Sequence, residues 1–183
     1  MSLKQSIQSN KAVLKFLLVF FGTYVILTLG YQAFLKYVTF EGYFPDIITH
    51  NVAYQSWCIL DFLGYDTEIF KHSQTPSMSI SINGKSIARV IEGCNSISII
   101  ILFISFVFAF HRGLKPTLLF MCFGAFIIYI FNLLRIALLV LGLYFYSNYG
   151  DFLHDILFPL FLYGVVLILW LIWIKKYKTN KQK

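Results

Sequence analysis

The sequence predicts an all-α polytopic membrane protein with a small β-hairpin in one water-exposed loop. Of its 183 residues, 58% are hydrophobic, 19% are aromatic and only 13% are charged, and the mean hydropathy is +0.73. A water-soluble domain usually has about a quarter of its residues charged. The chain therefore has too few polar side chains to cover a soluble globule. Long apolar tracts predict the membrane-spanning helices, and one Asn-Gly pair predicts the hairpin turn.

Four apolar tracts are predicted to cross the membrane as helices within a single membrane domain, residues 1–183. A helix rises about 1.5 Å per residue and the hydrocarbon core is about 30 Å thick, so a crossing needs about 20 apolar residues. The predicted spans are residues 12–34, 94–110, 116–135 and 152–174. The first lacks a small-residue cleavage pattern, which favours an anchor over a removable signal peptide.

The charge distribution predicts the orientation of these spans. With four crossings and a cytoplasmic amino terminus, ten basic residues and no acid lie inside, and all eight acids lie outside. This fits the positive-inside tendency, which a fifth crossing would violate. Residues 136–150 are therefore expected outside, with residues 136–146 forming a helical extension, a re-entrant piece or an interfacial helix. We expect both termini on the cytoplasmic side of the inner membrane. Since the +7 net charge sits beside apolar tracts, no nucleic-acid partner is expected.

The outer segment, residues 36–93, is the only sizeable part expected in water. Asp46 follows Pro45 as a plausible cap, and apolar residues then recur at helical spacing, which predicts an amphipathic helix on the membrane surface. Further along, Asn83-Gly84 between two apolar runs predicts a hairpin with a type I′ turn. Pairing Ile82 with Lys85 gives one face with Met78, Ile80, Ile82 and Ile87 and another with Ser79, Ser81, Ser86 and Ala88.

Three polar groups from different helices are expected at one depth. Cys94 opens the second span, Arg135 lies 19 residues beyond Pro116, about 28 Å along a helix, and His154 is near the start of the last span. A free thiol has a pKa of about 8.5 and needs a base or a positive neighbour to act as a nucleophile at neutral pH. His154 could serve as either, and Arg135 stays protonated and suits an oxyanion. The set predicts acyl transfer.

A non-catalytic interpretation of the same residues stays open. Cys94 could be a small buried hydrophobe, or could form a disulfide with Cys58. Arg135 could pair with Glu92 or Asp151 and hold helices together. The alternative to an enzyme is thus a membrane scaffold or assembly factor with a structural pair of arginine and acid. A transporter is disfavoured because the sequence lacks paired broken helices.

No cofactor or metal site is expected. The three cysteines have no CxxC spacing, and His50, His72 and His154 lack a metal-binding pattern such as HExxH.

Asp155 or Asp151 can orient the His154 imidazole or cap its helix. Pro159 removes a backbone donor, so the last helix is expected to bend just beneath the site.

Three short blocks carry a resemblance to a known family. The run RVIEGCNSI at residues 89–97, Asn132-Leu133-Leu134-Arg135 and His154-Asp155 resemble the motif blocks of the exosortase and archaeosortase family, in the correct order. The resemblance covers about residues 50–159. Many members are longer, and many carry Ser-Gly after the cysteine where this chain has Asn95-Ser96. The short length resembles the exosortase F branch.

The resemblance implies a membrane-embedded cysteine transpeptidase or protease. Cys94 would be the nucleophile, Arg135 the stabilising cation and His154 the acid/base partner, with Glu92, Asn132 and Asp155 as supporting residues of the same blocks. The implied partners are membrane lipid and exported proteins that end in a short motif, a transmembrane helix and a basic tail. A thioester on Cys94 would be resolved by an amine, another acceptor or water, with the site on the outer side of the membrane.

Overall fold

The computed structural model describes residues 10–38 and 41–181, which are mostly helical. The long helices are α1 (Lys11–Tyr37), α2 (Ile47–Phe62), α3 (Ile97–Ala109), α4 (Leu114–Phe145) and α5 (Phe158–Lys181). Between α2 and α3 lie the strands β1 (Thr67–Lys71), β2 (Met78–Ile82) and β3 (Lys85–Val90). Among the basic residues used to predict orientation, Lys4 and Lys183 fall outside the described residues.

Three stretches are long and apolar enough to cross a membrane: Val13–Tyr37, Leu114–Phe145 and Ser147–Lys175. The remaining predicted span, residues 94–110, is shorter in the structure. Helix α3 has 13 residues and so extends about 20 Å, less than the hydrocarbon core of about 30 Å. It is short because Cys94 ends a preceding 3-10 turn and α3 begins only at Ile97. Four crossings are therefore not confirmed.

Helix α4 continues without a break far beyond the predicted span of residues 116–135. It has 32 residues and is about 48 Å long. Its carboxy-terminal half is buried against the outer segment, where Leu133, Ile136 and Val140 pack with Val52 of α2 and Ile80 of β2. The helix persists because this half has its own packing partners. Residues 136–145 are thus a direct extension of α4, and the structure does not form a re-entrant piece there.

Helix α2 starts at the cap that the sequence predicts. The Asp46 carboxylate accepts hydrogen bonds of 2.9 Å from the backbone N–H groups of Ile48 and Thr49. Val52 and Leu60 are fully buried, because α2 packs against α4, β1 and β2. The apolar face of α2 is therefore used inside the protein, where the sequence predicted a helix lying on the membrane surface.

The outer segment contains a three-stranded antiparallel sheet in the order β1-β2-β3. The hairpin turn has the expected positive φ angles, 50° at Asn83 and 73° at Gly84, and Ile82 pairs with Lys85. Strand β1 was not predicted. It pairs along the whole of β2, from Thr67 opposite Ile82 to Lys71 opposite Met78.

A bulge corrects the predicted faces of the hairpin. The register shifts between Ile80 and Ser81, so Ala88 takes the place opposite Ile80 that was expected for Ile87. A bulge of this kind adds one unpaired residue to one strand and increases its twist. The supposed polar face is also buried: Ser79 is 0% exposed and Ser81 is 2% exposed, since β2 lies between two other strands.

A second apolar core joins α3, α4 and α5. It is built from Phe103, Val107, Phe120, Ile128, Leu162, Val166, Leu169 and Trp173. Gly124 of α4 lets α3 approach, because a Cβ there would lie 2.1 Å from Cζ of Phe103. At the far end, the Arg112 guanidinium lies over the Trp173 ring at 4.5 Å. This core fixes α3, and so the turn that precedes it, against α4.

Candidate active site

Cys94 lies at the junction between the sheet and the helices. It is the last residue of the 3-10 turn Glu92–Cys94, which follows β3. The Cys94 N–H closes this turn by donating to the Ile91 carbonyl at 2.9 Å. The residue is half-buried and its thiol is free, as are those of Cys58 and Cys122. The disulfide between Cys58 and Cys94 that the sequence left open is therefore not formed.

The residue after Cys94 ties this turn to three helices. Asn95 is 2% exposed, and its amide donates to the Tyr31 hydroxyl at 2.6 Å and to Thr49 Oγ1 at 3.2 Å. Its Oδ1 accepts from the Ile97 N–H at 3.0 Å and so caps the start of α3. Sequence reasoning missed this anchor, since Tyr31 and Thr49 lie far from Asn95 in the chain and no spacing connects them.

Ser96 completes the junction in an uncommon backbone conformation. Its φ of 63° is left-handed, which costs an L-residue about 1–2 kcal/mol. It is 3% exposed, and its hydroxyl has no hydrogen-bond partner among the residues that the structure describes. This left-handed conformation turns the chain sharply between Cys94 and the start of α3.

Asn132 connects Cys94 to Arg135. It is fully buried on α4, and its amide N–H donates to the Cys94 carbonyl oxygen at 2.8 Å. Its Oδ1 accepts a hydrogen bond of 3.3 Å from Nη1 of Arg135. Residues three apart lie on the same face of a helix, so the spacing of Asn132 and Arg135 directs both side chains toward the junction. The Cys94 main-chain carbonyl, the Asn132 amide and the Arg135 guanidinium thus form one hydrogen-bonded chain.

Arg135 carries a buried charge without a counter-ion. The side chain is 9% exposed and its Nε has no hydrogen-bond partner. Within the described part of the chain it forms no ion pair, and so the pair with Glu92 or Asp151 considered from the sequence is absent. A buried cation is costly unless an anion or several acceptors face it. The guanidinium therefore has donors left for a developing negative charge.

His154 stands apart from this chain. Its Nδ1 is 2.7 Å from Oδ1 of Asp155, and its side chain is 56% exposed. The described residues show no hydrogen bond from His154 to Cys94 or Arg135. The structure therefore links the Cys94 main chain to Arg135 through Asn132, whereas convergence of the Cys94 thiol, the Arg135 guanidinium and the His154 imidazole stays a prediction.

A groove borders His154, and its lining includes neither Cys94 nor Arg135. This β3 groove is a cavity of about 560 Å³ lined by β3, by α4 and by His154. Its lining includes Ile91, three residues before Cys94, and Leu139, one helical turn after Arg135. His154 therefore borders a space that begins next to the Cys94 turn.

The helix that carries His154 departs from regular α geometry at this point. Residues Leu153–Leu157 form a π-helical turn, in which the Phe158 N–H donates to the Leu153 carbonyl. Pro159 follows directly and offers no N–H to the preceding turn. Single π turns are frequent at functional sites. The irregularity falls where the sequence predicted a bend, directly beside His154.

The described residues contain no group of three or more His, Cys, Asp or Glu side chains that could hold a metal ion. His50 belongs to α2, and His72 lies at the end of β1, where its Nδ1 accepts from the Thr75 N–H at 3.2 Å.

The fold and the site define a class: a mostly helical chain with three helices long and apolar enough to span a membrane, in which a buried asparagine bonds both the main chain of a cysteine and an arginine and a histidine borders a groove beside strand β3. No family model matches the chain, and no curated protein or solved structure matches it either.

Proposed function

We propose that the chain is a membrane-embedded cysteine transpeptidase or peptidase of the exosortase type. It cleaves the carboxy-terminal sorting signal of exported proteins through a thioester on Cys94, and then transfers or releases the product. In this proposal the protein lies in the inner membrane, both termini are cytoplasmic and the site opens on the outer side. Membrane lipid surrounds the apolar helices.

The observation that carries the proposal is the bridge formed by Asn132. One side chain contacts the Cys94 carbonyl at 2.8 Å and the Arg135 guanidinium at 3.3 Å. It holds a free thiol residue near a buried cation that has no counter-ion. A preorganised cation in a water-poor site stabilises a developing oxyanion far more than it would in water.

The position of His154 supports a role in proton transfer. Its Nδ1 is engaged by Asp155, which fixes the ring and leaves Nε2 available, as in the arrangement of nucleophile, base and orienting carboxylate found in many acyl-transfer enzymes. Hydrogen bonds between catalytic groups are often long in the free enzyme and shorten when substrate binds. The β3 groove is where a substrate would bring His154 and Cys94 together.

Ser96 stands at a position where the chain departs from many exosortases. Its left-handed backbone is the conformation that glycine adopts most readily. Glycine is also the residue that many exosortases carry two positions after the cysteine. The local geometry thus gives a physical reason for that preference and for its cost here.

The proposed reaction has two stages, formation of a thioester on Cys94 and its resolution by an acceptor. The thiol of Cys94 gives its proton to His154, and the sulfur attacks a peptide carbonyl carbon while the oxyanion faces Arg135. The C–N bond breaks, His154 gives the proton to the leaving amine, and the acyl part stays on the sulfur as a thioester. An amine, another acceptor or water then attacks this thioester, giving up a proton through His154 that returns to the sulfur.

The test is to trap the acyl-enzyme. The tagged chain is purified from its natural host, quenched in acid and digested, and the Cys94 peptide is examined by mass spectrometry for a hydroxylamine-sensitive peptide adduct. The Cys94→Ala variant should accumulate in the membrane and leave the substrate uncleaved. Cys58→Ala, at another half-buried free cysteine, is the matched control and should process normally.

Normal function of Cys94→Ala, together with an adduct-free Cys94, would contradict the proposal. That result would favour the scaffold alternative, in which the junction only holds helices together.

A further inference from the structure

Strand β3 is an open edge of the sheet. In the order β1-β2-β3 it pairs only with β2. Across the described residues, no backbone hydrogen bond joins residues 85–90 to a further strand or loop. An edge with free N–H and C=O groups is a template for another extended chain, and proteins usually protect such edges. This edge faces the β3 groove.

The pairing register shows which groups are free. Ile82 and Lys85 close a two-residue turn and so form a hydrogen-bonded pair, and bonded and non-bonded pairs alternate along an antiparallel ladder. The pairs of Ser81 with Ser86 and of Ser79 with Arg89 are then the non-bonded ones. The backbone groups of Ser86 and Arg89 therefore point away from β2, and both residues line the β3 groove.

The opposite wall of the groove is apolar. Leu139 and Leu143 of α4 line it, next to the face of α4 on which Ile80 and Val90 of the sheet are packed. A fourth strand beside β3 would continue this sheet face over the two leucines. Every second side chain of that strand would meet them, since side chains alternate along a strand.

The charges of the groove restrict the occupant. Its charged or ionisable lining residues are Arg89, His72 and His154, and among the described lining residues there is no carboxylate. A basic segment would meet the like charge of Arg89 and no carboxylate among these lining residues. An acyl chain or a helix would leave the free groups of β3 unpaired, because neither offers exposed backbone donors and acceptors.

We propose that the edge of β3 binds the substrate as a fourth strand: an extended peptide, without basic residues and with apolar residues at alternate positions, that immediately precedes the bond attacked by Cys94. This inference rests on the proposed function. Because β3 leads directly into the turn that ends at Cys94, the peptide runs parallel to β3 and arrives with its scissile carbonyl at the thiol. Addition of a strand to a sheet edge is a recurrent mode of peptide recognition.

Photo-crosslinking tests this binding mode. In the Cys94→Ala background, p-benzoylphenylalanine is encoded in place of Ser86, of Arg89 or of Glu68. Glu68 is the control, because it is exposed on β1, the opposite edge of the sheet. We expect Ser86 and Arg89 positions to capture the protein whose fragment is found as a thioester on wild-type Cys94. In the captured protein, the residue crosslinked to position 89 should lie closer to the cleaved bond than the residue crosslinked to position 86.

A proline variant tests the backbone contact separately. Ser86→Pro removes an N–H that points into the groove and leaves the β2 ladder intact, whereas Ser86→Ala removes only the hydroxyl. We expect Ser86→Pro to slow thioester formation by about 3- to 10-fold, the value of one hydrogen bond, and Ser86→Ala to slow it less than about twofold.

The outcomes separate the two proposals. A thioester on Cys94 with no capture from β3, with equal capture from Glu68, or with the order of captured residues reversed would overturn the fourth strand and leave the enzyme standing. The absence of any thioester, with normal processing in Cys94→Ala, would remove the enzyme and the fourth strand together.

Discussion

The side-chain amide of Asn132 donates a 2.8 Å hydrogen bond to the main-chain carbonyl of Cys94, 38 residues earlier in the chain. The contact joins a turn at the edge of the sheet to the middle of the longest helix. Asn132 has no solvent exposure, so water cannot replace this bond. The Asn132 amide therefore adds a direct bond between the Cys94 turn and α4 to the packing of α3 and the hydrogen bonds of Asn95.

Replacing Asn132 tests this dependence. Asn132→Leu should lower the free energy of unfolding by about 1–3 kcal/mol, because the Cys94 carbonyl and the Arg135 guanidinium both lose a partner. Denaturant unfolding in detergent micelles measures the change. Leu134→Ala, at a neighbouring position with 40% exposure, is the control and should cost less. Equal stability of Asn132→Leu and wild type would show that the bridge does not hold the turn.

Arg135 offers a test that separates catalysis from structure. Arg135→Met removes a buried charge that has no counter-ion, so the thermal midpoint should stay unchanged or rise, while thioester formation should fall by about 100-fold or more. Arg135→Lys keeps the charge but loses the planar donor fork, and should also lose most activity. Lys115→Met, at an exposed position on α4, is the control. A large drop in midpoint for Arg135→Met would instead assign the arginine to structural support.

Asp155 is predicted to position His154. Asp155→Asn should slow thioester formation by at least about tenfold, because an amide holds the imidazole less firmly and does not stabilise its charged form. Single-turnover kinetics with the trapped substrate peptide measure the rate. Asp151→Asn alters a nearby exposed acid that makes no hydrogen bond to His154 within the described residues, and its rate should match wild type. Equal slowing by both variants would point to a general effect of charge.

Replacement by glycine at two serine positions should change the stability of the protein in opposite directions. Ser96→Gly relieves a left-handed backbone and removes a buried hydroxyl without a partner, and should stabilise the protein by about 1 kcal/mol. Ser98→Gly lies two residues further on, inside α3, and should destabilise it by about 0.5–1 kcal/mol. Parallel unfolding curves in detergent give both values. A loss of stability in Ser96→Gly would mean that its strain is balanced elsewhere.

Two glycines on α4 and α5 make a second matched pair. Gly124→Ala places a Cβ 2.1 Å from the Phe103 ring, and should cost about 1–3 kcal/mol through overpacking. Gly164→Ala meets nothing within 4 Å and should be neutral or slightly stabilising. The thermal midpoint measures the effect of each alanine variant. Adding Phe103→Leu to Gly124→Ala should restore part of the lost stability, because the smaller side chain makes room for the new Cβ. Equal midpoints for the two alanine variants would contradict the close packing of α3 on α4.

Local signals predicted the parts of this protein that depend on local chemistry. Apolar length predicted the membrane-length helices, Asp46 predicted the start of α2, and Asn83-Gly84 predicted the hairpin turn. The register failed past the turn at the bulge between Ile80 and Ser81, which the turn residues do not encode. Strand β1 was missed because a short, partly polar segment becomes a strand only through its pairing with β2.

The candidate site was predictable in part for the same reason. Depth along a helix placed Cys94 and Arg135 at a similar height, and the structure joins them through Asn132. Depth says nothing about rotation around a helix axis, however. It could not reveal that the His154 side chain would be largely exposed and paired with Asp155, nor that Asn95 would bond Tyr31 and Thr49.

Because α4 is a single rod of 32 residues, the positions of Asn132 and Arg135 along the helix axis follow from residue count alone, at about 1.5 Å for each step. No hinge lies between the hydrophobic portion and the polar junction to adjust it. Inserting or deleting one residue before Asn132 would also rotate both side chains by about 100°. A bilayer several ångströms thicker or thinner would therefore shift the whole junction relative to any membrane-anchored partner.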